Sequence, residues 1–352
     1  MLSGLGVGKG LSSTLVIAEA CALLSVPCFP RRGWICEITG CYVKKYLCRR
    51  LLLTIPILIG ISFLSFLLLN LVPADPAEVA LRVNEIIPTP ESVAAMRQQL
   101  GLDRPFLVRY VYWLFDAMRL DFGYSYINNR LVLDEISRCL PATLALAGLA
   151  LVMILCISIP LGVLSAVYKD SLFDRLIRTL VFLGTAMPSY WLGLLLIWWF
   201  ALAWDWLPTS GSGTFAHIIL PAVTLSMVYI SIYIRLIRNN MLENMQQYYV
   251  YYARARGLTE KSIIVRHVLK NSLHSSITAL GMSIPQLLAG TVIIENIFAW
   301  PGVGRLCISA IFSRDYPVIQ AYILMMAVLF VFCNLLVDII QRWMDPALRQ
   351  EG

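Results

Sequence analysis

The sequence predicts an all-α polytopic membrane protein of about six transmembrane helices, with a helix-Gly-helix segment interrupting them. Three observations predict it. Hydrophobic residues make up 59% of the 352 and charged residues only 14%, with a mean hydropathy of +0.74, a balance far from that of soluble domains. Apolar runs long enough to cross roughly 30 Å of hydrocarbon recur along the chain. The Lys and Arg residues behind the net charge of +7 cluster beside those runs, as orientation signals do, so the charge calls for a lipid bilayer and no nucleic acid.

Residues 1–42 stand apart. Leu11–Val26 is moderately apolar but is broken by Glu19, is too short to span comfortably, and lacks a convincing signal-cleavage site. Residues 43–352 read as one transmembrane domain. Its first span is Leu51–Val72, and the basic residues of Lys44-Lys45-Tyr46-Leu47-Cys48-Arg49-Arg50 place the start of that span, and the N-terminus, in the cytoplasm. Residues 73–138 then form a long extracytoplasmic segment. Thr89-Pro90-Glu91 reads as N-cap, proline and early acid of a helix closing near Gly101. Pro105 opens a second helix, whose stripe Leu107, Val111, Leu114 and Met118 is expected against the membrane or neighbouring spans.

Further spans are expected at Leu140–Val167, Ile177–Ala203, Ile218–Ile237, Ile277–Phe298 and Val318–Ile340. The one at Ile218–Ile237 is weakest, because it carries Pro221 and several hydroxyls that only neighbouring helices can absorb. Alternation from an inside start puts Lys169, Arg175, Arg178, Arg235 and Arg238 in the cytoplasm and leaves the Asp205–Ala216 loop outside without a single Lys or Arg.

Between the last two cytoplasmic crossings lies the polar stretch Tyr248–Ser275, within a predicted cytoplasmic loop at 240–276. Tyr248–Arg256 is a helix-compatible run ending at Gly257, which reaches the left-handed conformation without steric cost. Thr259 stands where an N-cap hydroxyl would start a second helix, with Ile264, Val265, Val268 and Leu269 on one face and Lys261, Arg266 and Lys270 on another. Small residues at Ala253, Ala255 and Gly257 would let a partner approach closely, framed by Arg254 and Arg256. From these residues alone, a basic loop held inside by its charge explains the stretch as well as a docking segment does.

The run Tyr249-Val250-Tyr251-Tyr252-Ala253-Arg254-Ala255-Arg256-Gly257-Leu258, followed by Arg266-His267-Val268-Leu269-Lys270-Asn271, resembles the coupling loop of ATP-binding-cassette importer permeases, in particular the oligopeptide, dipeptide and nickel permease family. Two positions depart from the family pattern: Tyr252 stands where a glutamate is usual, and the proline that usually ends the loop is replaced around His274-Ser275. Leu100-Gly101-Leu102-Asp103-Arg104-Pro105 and Asp121-Phe122-Gly123-Tyr124-Ser125 resemble the same family, so the likeness runs from Lys44 to Arg349. It implies that Tyr252, Ala253, Arg254, Ala255, Arg256, Gly257, Leu258 and Thr259 couple to an ATPase. It implies as partners a second, homologous permease subunit, two ATP-binding-cassette ATPase subunits and an extracytoplasmic solute-binding protein. ATP would be used by those ATPase subunits, and this chain would bind no cofactor. The resemblance also makes Val43 a plausible start of translation from a non-standard codon, the rival being a weak uncleaved signal segment.

Ionisable residues at membrane depth are costly, so Glu295 draws notice near the outer end of the fifth span. It leads into Asn296-Ile297-Phe298-Ala299-Trp300-Pro301-Gly302-Val303-Gly304, where proline and glycines forbid a continuing helix and Trp300 suits an interface. A plain connecting loop is one reading. The resemblance favours a gate or binding-protein contact made of Glu295, Asn296, Trp300, Pro301, Gly302 and Gly304. The run Ile293–Arg305, with Ala310–Pro317, looks most like nickel permeases, while di- and oligopeptide permeases share much of it.

Enzyme chemistry is missing from the sequence. There is no H-E-x-x-H helix and no Walker loop. Gly211-Ser212-Gly213 lies in a Ser/Gly/Thr turn, and His217, His267 and His274 are not at ligand spacing, which leaves an intramembrane protease little support. Nine cysteines without C-x-x-C pairs define neither a disulfide framework nor a zinc site, and Cys156 and Cys333 read as small buried hydrophobes. A self-sufficient secondary transporter would need broken inverted repeats or several midplane acids, and neither is found. Nickel, if it is the cargo, would therefore cross as a chelate.

Overall fold

The computed structural model describes residues 32–71, 75–83 and 86–344, so the readings of residues 1–31 lie outside the described residues. The chain divides into residues 1–53 with 347–352, and residues 54–346. Of the former, the described part is helical from Arg32. Helix α1, Arg32–Asn70, carries the basic cluster inside it, and its apolar part long enough to cross a membrane, Leu52–Asn70, lies where the sequence places the first span. Everything below concerns the second unit.

Helix α2, Pro76–Val83, was not foreseen. Helix α3, Pro90–Gln99, starts where the sequence places it: Thr89 is its N-cap and accepts from the Ser92 amide, while Gly101 beyond its end takes a φ of +66°. Helix α4, Phe106–Met118, follows Pro105, and its inner face is formed by residues other than the expected stripe. Leu107, Val111 and Met118 are exposed, and Tyr110 and Ala117 are buried. The reason is aromatic packing. Phe106, Tyr110 and Trp113 close on Phe63 and Phe66 of α1, and Tyr110 Oη bonds Ser62 Oγ at 2.8 Å. An isolated antiparallel bridge, Tyr124 to Leu131, precedes α5, and no strand occurs among the described residues.

Helix α5, Val132–Val167, begins ahead of the expected Leu140, with Asp134 and Glu135 suiting its N-terminal dipole. The single span expected at Ile177–Ala203 is instead two helices, α6 (Leu172–Ala186) and α7 (Ser189–Leu196, continuing π-helically through Ile197–Ala203), bent by 108°. Pro188 explains the break. Its ring drives Met187 to ψ 127°, out of the helical region, and removes a backbone donor.

Helix α8, Phe215–Met245, is the span the sequence made weakest, yet it is the best buried of the five straight ones, at 50% of its apolar window against at most 33%. Its hydroxyls turn inward onto its own carbonyls, Thr224 Oγ1 donating to Leu220 O at 2.7 Å and Ser226 Oγ to Val223 O at 3.1 Å. Around it pack Leu146, Ala150 and Ile154 of α5, and Leu287, Leu288 and Ile294 of the helix α11, Leu269–Ile297. A short apolar helix α12, Val303–Ser313, and the long α13, Tyr316–Met344, complete the described chain. Cys156 is exposed, against expectation, because its side of α5 faces away from α8; Cys333 is half-buried.

Candidate functional site

At one end of the bundle α8 runs out at Met245, and the chain turns into α9, Tyr248–Ala255. Gly257 closes that helix with a φ of +78°, its amide donating to Arg254 O at 2.9 Å. Helix α10, Glu260–Ile263, then starts and passes through a π-helical turn, Ile264–Val268, into α11. The helix-Gly-helix geometry follows the sequence, with three corrections. Thr259 occupies the N-cap position, but its hydroxyl makes no capping bond; Glu260 supplies first-turn charge instead. Ala253 is buried inside this chain, so its small side chain serves the seating of α9. Val265, expected on the apolar face, is 55% exposed, because the π-helical turn rotates it away from Ile263 and Val268.

The seat is specific. Val250 and Ala253 of α9 pack with Ile263, Val268, Ala166, Ile237 and Met241 in one small core, and Tyr249 Oη donates to Asn244 Oδ1. Arg254 clasps α9 to α10 across the turn, with Nε 2.6 Å and Nη2 3.2 Å from the Glu260 carboxylate oxygens. That pairing holds the Arg254 pKa above, and the Glu260 pKa below, their ordinary values. Away from the bundle, the segment presents Tyr248, Tyr251, Tyr252, Leu258 and Val265, with Arg256, Gly257 and Thr259 also exposed. Apolar and aromatic surface of this extent beside fixed charge marks a contact surface, for a protein or for a membrane.

Beneath it lies a node that sequence reasoning missed. Asp174 of α6 is fully buried and bound by Arg238 of α8 in a fork, at 2.8 and 2.9 Å. Ser165 Oγ of α5 and the Asp170 amide donate to the same carboxylate. Three elements are thereby joined just below the α9 seat. An Asp three residues beyond Ser171 carries only the signature of a helix start, and nothing in the sequence pairs it with Arg238.

At the other end of α5, about 34 Å away by helical rise from Ala166 to Thr143, stands Glu295. It is fully buried, so its side chain offers no surface to a partner, contrary to the contact role read from sequence. Its oxygens accept from Thr143 Oγ1 at 2.6 Å and from the amides of Gly304 at 2.7 Å and Arg305 at 3.1 Å, while Thr143 Oγ1 accepts from the Val303 amide at 2.9 Å. The carboxylate thus satisfies the open amides at the start of α12. Gly302 and Gly304 are needed for this: a Cβ at Gly302 would collide with the carboxylate, and one at Gly304 would lie 2.6 Å from Val292 Cα. Trp300 is buried within the chain, its Nε1 donating to Ala142 O at 2.9 Å. Of the six residues, Pro301 is exposed and Asn296 half-exposed. The turn itself is where the sequence put it.

His217 shares a 2.8 Å bond with Thr214 Oγ1, while His267 and His274 lie seven residues apart on the continuous helical run Glu260–Ile297. Among the described residues no three His, Cys, Asp or Glu side chains come together in a way that could hold a metal ion.

A family model described as binding-protein-dependent transport system inner membrane component matches residues 158–350, and one for the N-terminal part of such components matches residues 43–147. The chain is 39% identical over 307 residues to a metal-staphylopine import system permease protein of Staphylococcus aureus, covering 87% of this chain and 98% of the relative. It is 37% identical over 311 residues to a putative peptide transport system permease protein of Brucella abortus, covering 86% and 98%. To a glutathione transport system permease protein of Salmonella typhimurium it is 36% identical over 310 residues, covering 87% and 99%. Among solved structures, the MetNI methionine ABC transporter in inward-facing conformations shares its fold, with a TM-score of 0.51 over 60% of this chain and 96% of that one at 19% identity.

Proposed function

The chain belongs to the binding-protein-dependent transport system inner membrane components and is an importer permease subunit, and we propose that it forms half of a membrane channel for a metal chelate, nickel being the metal. The observation that carries the cargo is identity of 39% along almost the whole of a permease named for metal-staphylopine import. A chelate asks no ligand set of the channel, which suits a chain that brings no three His, Cys, Asp or Glu side chains together among the described residues. A second reading, a peptide, is favoured by nearly equal identity to the Brucella and Salmonella permeases.

In this reading the N-terminus and the α9–α10 segment face the cytoplasm. The exposed tyrosines and the Gly257 turn receive an ATPase subunit, one of two, and a second homologous permease completes the channel. A solute-binding protein docks on the opposite side, where Pro301 and Asn296 are accessible and Glu295, Trp300, Gly302 and Gly304 hold the outer turn rigid as a gate. ATP-driven closure pushes on α9. Its seat on α8, and the Asp174–Arg238 fork tying α8 to α5 and α6, make these helices tilt as one body and switch the opening.

Uptake by cells carrying the complete system tests the cargo. Labelled nickel should enter with an organic chelator present and not as the free ion, and His217→Ala should lower that uptake by less than about threefold. Abolished uptake at normal abundance would mean direct coordination. Uptake of labelled dipeptide without nickel would establish the peptide reading.

A further inference from the structure

A cavity of about 410 Å³ opens beside α4. Phe66, Leu69 and Asn70, where the apolar run of α1 stops, and Tyr316, Pro317 and Gln320, where that of α13 starts, form one side of it; α4 and the turn before it form the other. Two spans therefore end at its walls, the depth at which phospholipid headgroups meet hydrocarbon. Helix α4, with 13 residues, is too short to cross a membrane, yet Leu107, Val111, Phe115 and Met118 make one exposed apolar stripe along it, as on a helix lying in an interface. The polar groups of the cavity are unused. Arg104 lies over the Tyr112 ring at 4.8 Å and Arg109 over the Phe66 ring at 5.9 Å, and neither forms an ion pair among the described residues, although Arg82 and Arg97 in the same segment are paired with Glu78 and Asp75. Arg109 is half-buried, and desolvation lowers its pKa from the ordinary value. Tyr316 is buried, and its hydroxyl has no hydrogen-bond partner among the described residues. Both lie within electrostatic reach of Tyr126, a further residue of the wall, while the Asp315 carboxylate is occupied by Ser125 Oγ and the Tyr126 amide. A buried hydroxyl and a partly desolvated guanidinium without acceptors are costly to keep, and a phosphate diester satisfies both. Two helical turns beyond Arg109, and so on the same face, exposed Asp116 lines the cavity and also lacks an ion pair among the described residues.

We propose that this cavity binds the headgroup of a membrane phospholipid, phosphatidylethanolamine, with Arg109 and the Tyr316 hydroxyl on its phosphate, Asp116 on its ammonium group, and its acyl chains along the exposed stripe of α4. A headgroup with negative charge alone meets Asp116 with the wrong sign, and a choline headgroup has no N–H to give it. The bound lipid ties α4 to the ends of α1 and α13. The site is separate from the α9–α10 platform and from the Glu295 turn, and it does not depend on which cargo is transported.

Native mass spectrometry of the full chain in detergent, titrated with phosphatidylethanolamine, tests it, with phosphatidylcholine and phosphatidylglycerol of the same acyl chains, glycerophosphoethanolamine and inorganic phosphate in parallel. Saturable phosphatidylethanolamine binding is expected, about tenfold tighter than that of either other lipid or of the two water-soluble phosphates. Arg109→Gln should weaken it about tenfold and Tyr316→Phe about threefold, while Asp116→Asn should erase the preference for phosphatidylethanolamine over phosphatidylcholine. Lys261→Gln should bind normally. Thermal unfolding of each variant guards against misfolding, and Tyr316→Phe, which removes an unpartnered hydroxyl, should lose no stability in lipid-free detergent. No saturable lipid, equal affinity for all three phospholipids, or normal binding by Arg109→Gln would overturn the proposal. Inorganic phosphate or glycerophosphoethanolamine bound as tightly as the lipid would overturn it too, since the ligand would then be a free phosphate. If lipid binding survives Arg109→Gln while capture of the solute-binding protein by the assembled importer does not, the arginine serves that protein and the lipid site is refuted.

Discussion

Replacing Glu295 by alanine should release the start of α12. The substitution removes the acceptor of three donors, the Thr143 hydroxyl and the Gly304 and Arg305 amides, in a place from which solvent is excluded. A buried donor left without a partner costs about 1–3 kcal/mol, so with partial relaxation the loss is about 3–5 kcal/mol. Each 1.4 kcal/mol is tenfold in an equilibrium constant, so local opening of the Trp300–Asp315 region should become about 100- to 4,000-fold more frequent. Trypsin reads this in detergent, because Arg305 and Arg314 have exposed side chains but sit in helix and in a left-handed turn. Cleavage requires opening, and its rate follows the open population while reclosing is fast. Glu295→Gln keeps the shape and one good acceptor, so it should cost about 1–2 kcal/mol and accelerate cutting about tenfold. Cleavage of Glu295→Ala at the native rate, or Gln as damaging as Ala, would refute the capping role.

Gly304→Ala should fail at the same turn, since the new methyl would meet Val292 Cα at 2.6 Å; a loss of about 1–3 kcal/mol should appear as faster trypsin cleavage and reduced uptake. Arg238→Ala leaves the fully buried Asp174 carboxylate with only the longer 3.5 Å contact of the half-exposed Arg178 and should destabilise the chain by about 2–4 kcal/mol, whereas the double variant Asp174→Asn with Arg238→Met should regain most of it; thermal unfolding of the single and double variants shows whether the loss belongs to the under-compensated charge. Tyr252→Ala, at a side chain 70% exposed in the free chain, should leave chain stability within about 0.5 kcal/mol but weaken ATPase co-purification, and an unaffected complex would place the contact elsewhere.

Much of this was legible because membrane burial writes itself as long apolar runs, and because caps and turns have local chemistry. Thr89-Pro90 and Gly257 behave as their residue types require. Other features were hidden by the same uniformity. Pro188 was visible, but continuous apolar sequence around it masked the break it makes. Periodicity found the stripe through Leu107 and Val111, yet could not tell that aromatic contacts with Phe63 and Phe66 would win the inner face for Tyr110. Val265 was misplaced because a π-helical turn shifts register without any compositional mark. Asp174 and the capping role of Glu295 escaped for a deeper reason, although Glu295 itself stood out. Their burial depends on partners distant in sequence, Arg238 and Thr143, and only the tertiary fold brings these together.

The central claim is that the α9–Gly257–α10 segment carries the drive of an ATPase into the bundle. Gly257→Val tests it most directly. No atom lies within 4 Å of the Cβ position, so the change acts through the backbone: a φ of +78° costs an L residue about 1–2 kcal/mol, and more when β-branched, which pulls the turn away from its conformation. Because no span is touched, membrane abundance should stay normal. Uptake and transport-dependent ATP hydrolysis by the assembled complex should fall together, by at least tenfold, while Lys261→Gln on the exposed face of α10 remains near native. Normal ATPase association with normal uptake in Gly257→Val would contradict the account and leave the segment an orientation loop.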